Sequence, residues 1–214
     1  MTSPAQALVE RLRPLVGDER VLSAIAAVPR DAFVPRNVRD RAWDNEALPI
    51  WAGQTISQPL VVARMCALLQ LRGDERVLDV GTGSGYHAAL LAHLAGEVFS
   101  VEVLPELTEH ARAALGRAGV AGVHLVVGDG SLGLPEHAPF DAINVAAAGS
   151  AARLEPLLDQ LARGGRLVAP VTATDGDQVL VTVHRESSGR FRRALHERVR
   201  FVPLVAGQPG DAPR

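Results

Sequence analysis

The chain has 214 residues, 47% of them apolar and only 4% aromatic, with a formal net charge of -2. That length is long for one domain and short for two, and the near-neutral charge offers no general attraction to nucleic acid or to an anionic membrane. A single cysteine, Cys66, excludes an internal disulfide and a thiolate metal cluster, and the seven histidines show no ligand spacing. The N-terminus lacks a basic start followed by an apolar run, and no apolar stretch approaches the roughly 20 residues that span a bilayer. These features predict a soluble cytoplasmic protein.

Ser3-Pro4 opens a helix on which Leu8, Leu12 and Leu15 recur at helical spacing up to Gly17. Val21, Leu22 and Ile25 mark a second helix, stopped by Pro29. Residues 29–35 are irregular, with Phe33 as an anchor into the core. Residues 39–59 are too polar and interrupted for a regular element, and a loop of that length is commonly a functional one. It holds both tryptophans; Trp43 reads as a core anchor and Trp51 as a candidate wall of a cleft. Pro59 starts a third helix, with Val61, Val62, Met65, Leu68 and Leu69 on its apolar stripe and Cys66 as a small core residue.

From there strands at 76–80, 97–101, 123–127, 140–146 and 166–171 alternate with helices at 86–95, 105–118 and 152–162. That alternation predicts an α/β protein with a parallel sheet covered on both faces. Two strands at 178–184 and 191–199, joined by Ser187-Ser188-Gly189, must be antiparallel and add a hairpin at one edge. The six arginines and two acids of 185–200 read as charge protecting that edge, with attraction of an acidic or unstructured peptide as the alternative. Residues 208–214 read as a loose tail.

Chemistry concentrates in VLDVGTGSGY at 77–86. A buried strand runs into Gly81-Thr82-Gly83-Ser84-Gly85 and then into a helix N-terminus, an arrangement that suits a small polar ligand. A dinucleotide fingerprint would need a glycine where Tyr86 stands. Asp79 before the turn favours a cation such as S-adenosylmethionine over a pyrophosphate. Glu102 ends the next strand, where an acid can accept ribose hydroxyls, and Gly128-Asp129-Gly130 ends the third, where Asp129 can reach an adenine amino group. His87 follows the turn directly and could touch the ligand, but reads first as a surface or core histidine.

AWDNEALPIWAGQTISQPLVVARMCALLQL at 42–71, followed by VLDVGTGSGY, resembles the protein-L-isoaspartate O-methyltransferases. PRDAFVP at 29–35, FDAINVAAA at 140–148, GGRLVAPV at 164–171 and RFVPLVAG at 200–207 look like further segments of that family. The resemblance implies the seven-stranded, Rossmann-like sheet of class I S-adenosylmethionine-dependent methyltransferases, with extra N-terminal helices. It implies one unit over 1–214, with helices and a substrate loop at 1–72 and the cofactor sheet at 73–207. It implies methyl transfer from S-adenosyl-L-methionine to the free α-carboxylate of L-isoaspartyl residues in damaged proteins or peptides, leaving S-adenosyl-L-homocysteine. The ester then cyclises to a succinimide that opens in part to normal aspartate.

Ser57 matches the family's active-site serine, and Thr55, Ile56, Ser57 and Gln58 its substrate pocket. By itself Ser57 also reads as a helix N-cap. Asp79, Gly81, Thr82, Gly83, Ser84, Gly85, Glu102, Asp129 and Gly130 are the expected cofactor residues, with no metal. The expected state is a monomer without nucleic-acid or membrane partners. Two departures from the family bear on specificity: Gly149 is expected to loosen the loop after the fourth sheet strand, and Leu60-Val61 follows Pro59. Three rival readings are a methyltransferase for an aspartate of a ribosomally made natural-product peptide, a nucleotide-dependent oxidoreductase, and a non-catalytic cofactor-binding interaction protein.

Overall fold

The computed structural model describes residues 2–207; the tail expected at 208–214 lies outside them. Helix α1 (Pro4–Val16) starts where the Ser3 hydroxyl accepts from the Gln6 amide and the Gln6 side chain returns a bond to the Ser3 amide. It stops at Gly17, whose φ of 68° lies in the left-handed region that glycine enters without strain. Leu8 and Leu12 are buried, but Leu15 falls off the stripe and is 45% exposed. In α2 (Glu19–Ala27) the Asp18 carboxylate caps the Arg20 and Val21 amides, and Leu22 and Ile25 face the core. Phe33 is fully buried, as expected.

The 39–59 stretch does contain regular structure. Leu48–Pro49 (β1) pairs antiparallel with Thr55–Ile56 (β2), Leu48 opposite Ile56. The turn between them is a short 3-10 helix at Trp51–Gly53, in which Ala52 takes a φ of 53°. Leu48, Ile50 and Ile56 turn inward, which anchors an otherwise polar loop. Helix α3 (Pro59–Leu69) follows directly.

The main sheet contains β3 (Arg76–Val80), β4 (Glu97–Glu102), β5 (Val123–Val127), β6 (Phe140–Val145), β7 (Leu161–Thr172), β8 (Gln178–Arg185) and β9 (Phe191–Arg198). Their spatial order is β5-β4-β3-β6-β7-β8-β9. The first five in that order run parallel, and β8 and β9 are each antiparallel to their inner neighbour. The crossovers include α4 (Tyr86–Leu94), α5 (Pro105–Ala118) and α6 (Glu155–Asp159).

Strand alternation sorts the core into two layers. Val77, Val98, Ala142 and Val168 pack beneath the N-terminal helices and α4, whereas Leu78, Val80, Ile143, Val145 and Leu167 pack with Leu157 and Leu158 of α6. Edge strand β9 is mostly exposed and carries the expected arginines. Such charge discourages pairing with another chain.

The helix expected at 152–162 is shorter. A 3-10 turn at Ala151–Leu154 leads into α6, and strand β7 begins at Leu161. Leu161 pairs with Phe140 and Arg166 with Ala142, so the strand absorbs Gly164-Gly165 as an irregularity. The Gln160 side chain pins this junction, accepting from the Leu134 amide and donating to the Leu132 and Pro156 carbonyls. Gly149 corrects another expectation. Its amide donates to Pro170 at 3.4 Å and its carbonyl accepts from Thr172 at 2.9 Å, so the loop is tied down rather than loosened.

Candidate functional site

Strand β3 leads outward to β4 and β5, and the chain then returns to the other side of β3 as β6. A crevice opens at the carboxyl ends of β3 and β6, the switch point where open α/β sheets take ligands. The turn after β3 has φ values of 91°, 52° and 86° at Gly81, Gly83 and Gly85. A side chain would strain all three positions. At Gly85 a Cβ would also lie 3.0 Å from the Cβ of Ala111, so the turn packs tightly on α5.

Over this turn lies a cavity of about 310 Å³. Among the predicted residues, Thr55, Ile56, Ser57, Gly81, Thr82, Gly83, Ser84, Glu102 and Gly130 line it. Among the described residues Glu102 is the one charged side chain in that wall. One of its oxygens accepts from the Gly83 amide at 2.9 Å and the other from the Leu104 amide at 3.1 Å. Burial raises its carboxyl above the usual range, against the pull of those amides.

Asp79, Gly85 and Asp129 are not in the wall. Asp79 is fully buried behind it, accepting from the Ser100 hydroxyl and the Asn144 amide, each at 2.7 Å. Burial lifts its pKa from 3.8 to about 6, although those two bonds favour the anion. Asp129 caps its own turn through the Ser131 amide and hydroxyl and accepts from the Gly207 amide at 2.9 Å. Partial burial raises the Asp129 carboxyl, but the Ser131 hydroxyl and the neighbouring amides outweigh it and leave the group below its ordinary value.

The Asp79 bonds belong to a longer buried chain. The Asn144 amide nitrogen also lies 3.2 Å from His87 Nδ1, and His87 Nε2 lies 3.4 Å from Cys66 Sγ. Because the amide can only donate, these partners assign the ring proton to Nε2. Burial lowers the His87 pKa to about 3, so the ring is neutral. Ser100 continues the chain to the Thr82 hydroxyl at 2.7 Å. A run of polar groups therefore joins α3, α4 and the floor of the glycine turn.

Ser57 is half-buried and stands where this cavity meets a second one of about 390 Å³, to which Gln58 contributes. Gln58, not Ser57, is the N-cap of α3, and its side chain makes no capping bond. Asn45 supplies the cap from the side, accepting from the Leu60 amide at 3.0 Å. The Ser57 hydroxyl is therefore not spent on the helix. Trp43 is partly buried against the core, as expected. Trp51 lines neither cavity; it stacks on His110 of α5 with ring centres 4.0 Å apart.

The remaining wall residues were not expected as site residues, although some lie in the segments 140–148 and 200–207 that carry the family likeness. Leu104, Leu107, Ala146, Ala147 and residues 202–205 close the first cavity. They are almost all apolar and carry no chemical signature. His87 also lines the cavity, in line with the alternative reading that it touches the ligand rather than with a plain surface or core role. Arg30 was likewise missed: it is fully buried, donates to the Ala42 and Glu46 carbonyls, and lies 5.0 Å over the Tyr86 ring. It braces the loop before β1 against the start of α4, and burial depresses its pKa to about 10.

A parallel sheet that switches at β3, a glycine turn after that strand and an acid closing β4 define a class I S-adenosylmethionine-dependent methyltransferase fold. Residues 3–209 match the family described as protein-L-isoaspartate(D-aspartate) O-methyltransferase. A protein-L-isoaspartate O-methyltransferase of Methanoculleus marisnigri is 52% identical over 195 residues, covering 91% of this chain and 87% of that one. One from Anaeromyxobacter dehalogenans is 54% identical over 192 residues, covering 89% and 91%. A solved protein-L-isoaspartate O-methyltransferase superposes with a TM-score of 0.86 at 25% identity, over 97% of this chain and 67% of its own. A Plasmodium falciparum protein bound to S-adenosyl-L-homocysteine shares the fold, with a TM-score of 0.82 at 24% identity over 94% of this chain and 98% of its own. The chain belongs to the protein-L-isoaspartate(D-aspartate) O-methyltransferase family.

Proposed function

We propose that the chain methylates the free α-carboxylate of L-isoaspartyl residues in damaged proteins or peptides, using S-adenosyl-L-methionine. The observation that carries this reading is the position of Ser57, an uncommitted hydroxyl on the wall shared by two cavities. One cavity is edged by a carboxylate and suits the methyl donor; the other opens toward a peptide.

The donor set fits that cofactor. Each Glu102 oxygen accepts one backbone amide, which leaves lone pairs for two ribose hydroxyls. Leu104, Leu107 and Val80 offer an apolar seat for a purine. Glu102 in the wall and Asp79 behind it favour a cationic ligand, which also lowers the cost of keeping two buried carboxylates ionised. When bound, S-adenosylmethionine would supply an electrophilic methyl with a neutral thioether as its leaving group.

The substrate carboxylate is already ionised at neutral pH, so the protein needs no general base. It must aim one oxygen and keep water out. Ser57 donates its O–H to the carboxylate without becoming a nucleophile. Thr55, Ile56 and Gln58 shape the surrounding pocket. Val202 and Ala146 stand at the boundary of the two cavities and shed water from the transfer path.

Asp79 holds the turn from behind through Ser100 and Thr82, and Asp129 orders the turn that brings Gly130 into the wall. We further infer a cytoplasmic monomer that acts without nucleic acid or membrane, in keeping with its net charge of -2. Among the described residues, no helix is long and apolar enough to cross a membrane.

The test is labelled S-adenosylmethionine with matched isoaspartyl and aspartyl peptides. Base-labile methyl ester should form on the isoaspartyl peptide alone. Equal labelling of both peptides, or none while S-adenosylhomocysteine still binds, would overturn the reading.

A further inference from the structure

The two cavities that meet at Ser57 carry opposite charge. The first has one charged side chain, Glu102. Among the described residues the second holds two, Arg198 and Arg200, and no carboxylate. Its inner side is the start of α3, where Gln58 and Val61 face it and the first turn carries no acid. Its outer side is residues 198–202, with Phe201 beside the arginines. A helix N-terminus adds a partial positive charge to the same space.

The charges around it are accounted for. Arg198 contacts Asp177 at 3.0 Å, Arg64 of α3 contacts Glu197 at 3.6 Å, and among the described residues Arg200 makes no ion pair. At about 390 Å³ the cavity has room for side chains beyond the single carboxylate that Ser57 would hold.

We propose that this second cavity is a subsite for residues flanking the isoaspartyl residue, and that Arg198 and Arg200 select an acidic side chain there. The proposal rests on the isoaspartyl reading above and adds a substrate preference to it. Opposite charges in adjoining cavities divide the work: the acidic side takes a cationic donor, and the basic side takes an anionic peptide. Misplaced peptides are then repelled from the donor pocket by Glu102. Val61, Val199 and Phe201 give the stem of a glutamate apolar contact while its carboxylate reaches the arginines.

The experiment uses two isoaspartyl peptides that differ only in carrying glutamate or lysine at the flanking positions. Binding is read by anisotropy of labelled peptide in the presence of S-adenosylhomocysteine, and turnover by ester formation. The glutamate peptide should bind roughly three- to tenfold more tightly, the scale of exposed charge pairing, with the preference in KM rather than kcat. It should fade in 0.5 M salt, a concentration at which such charges are screened. The double substitution Arg198→Ala with Arg200→Ala should bring the two affinities together while S-adenosylhomocysteine affinity stays constant. Arg200→Glu should invert the order, and Arg200→Lys should keep it.

Equal binding of both peptides by the unaltered protein, or a preference that survives the double substitution, would overturn the subsite. Methylation of both peptides with equal KM would sink the subsite and leave the isoaspartyl reading intact. Preferential binding of the glutamate peptide without ester formation on either would do the reverse.

Discussion

Asp79→Asn should stabilise the ligand-free protein at neutral pH. The carboxylate is fully buried, and no cation bonds to it; its partners are a hydroxyl and an amide. Its pKa is 3.8 in an ordinary setting and about 6 in the fold, so between those values the folded state binds more protons than the unfolded one. Stability from this group is therefore fully present below 3.8 and is lost as the pH rises through about 6. The gap corresponds to about 3 kcal/mol.

An amide in place of the carboxylate carries no such penalty. Its oxygen can accept from Asn144 and its nitrogen can donate to Ser100, whose hydroxyl then donates to Thr82. Allowing for weaker neutral bonds, a net gain of about 2 kcal/mol is expected at pH 7.5. For a chain of this size that means roughly 4–8 °C in Tm. Urea unfolding of both proteins at pH 7.5, 6 and 5 checks this, with the advantage shrinking as the pH falls. An advantage that stays constant with pH, or a variant less stable at every pH, would show that the hydrogen bonds outweigh the burial cost. The variant should also bind S-adenosylhomocysteine and S-adenosylmethionine less tightly, since a charge kept at such a cost marks a site that uses it.

Ser57→Ala should lower kcat/KM for an isoaspartyl peptide by roughly 10- to 100-fold, the worth of one hydrogen bond to a charged group. Calorimetric affinity for S-adenosylhomocysteine should hardly change; equal loss of both would contradict the role. In Gly130→Ala the new Cβ would lie 2.8 Å from Val80 Cγ1 and 3.2 Å from Val101 Cγ1. Overpacking there should cost about 1–3 kcal/mol in urea unfolding and weaken cofactor binding. Cys66 is buried, with its thiol pKa raised by burial and by the negative charge of Asp79. Iodoacetamide should leave it unmodified in the folded protein and alkylate it after unfolding, by mass spectrometry.

The three acids closing successive strands were legible as a group because each interrupts an apolar run at its end. What each faces was harder to read. Strand alternation puts Asp79 on the side of Val77, beneath α3 and α4, whereas Leu78 and Val80 point the other way. Its partner Asn144 lies directly opposite only because β6 returns beside β3, a pairing that no local pattern announces. The helix expected at 152–162 failed for a related reason. Leu154, Leu157, Leu158 and Leu161 keep helical spacing, but pairing of Leu161 with Phe140 draws the last of them into β7. The hairpin at 48–56 has only two residues per strand, too few for a period to emerge. The apolar roof of the site lies partly in the segments 140–148 and 200–207, marked by their family likeness, but the residue types themselves do not announce a wall.

That roof carries a consequence in time. After edge strand β9 the chain runs back across the sheet. Val202 and Leu204 then bond to Ala148 by backbone hydrogen bonds of 2.8 and 2.7 Å, beyond the end of β6. Residues 202–205 thus wall the first cavity, yet they are synthesised after all seven strands of the sheet. A nascent chain can complete its sheet while its donor pocket still lacks one side. The wall of the donor pocket is thus among the last parts of the described chain to be made, and Leu204 is buried in the core layer that it completes.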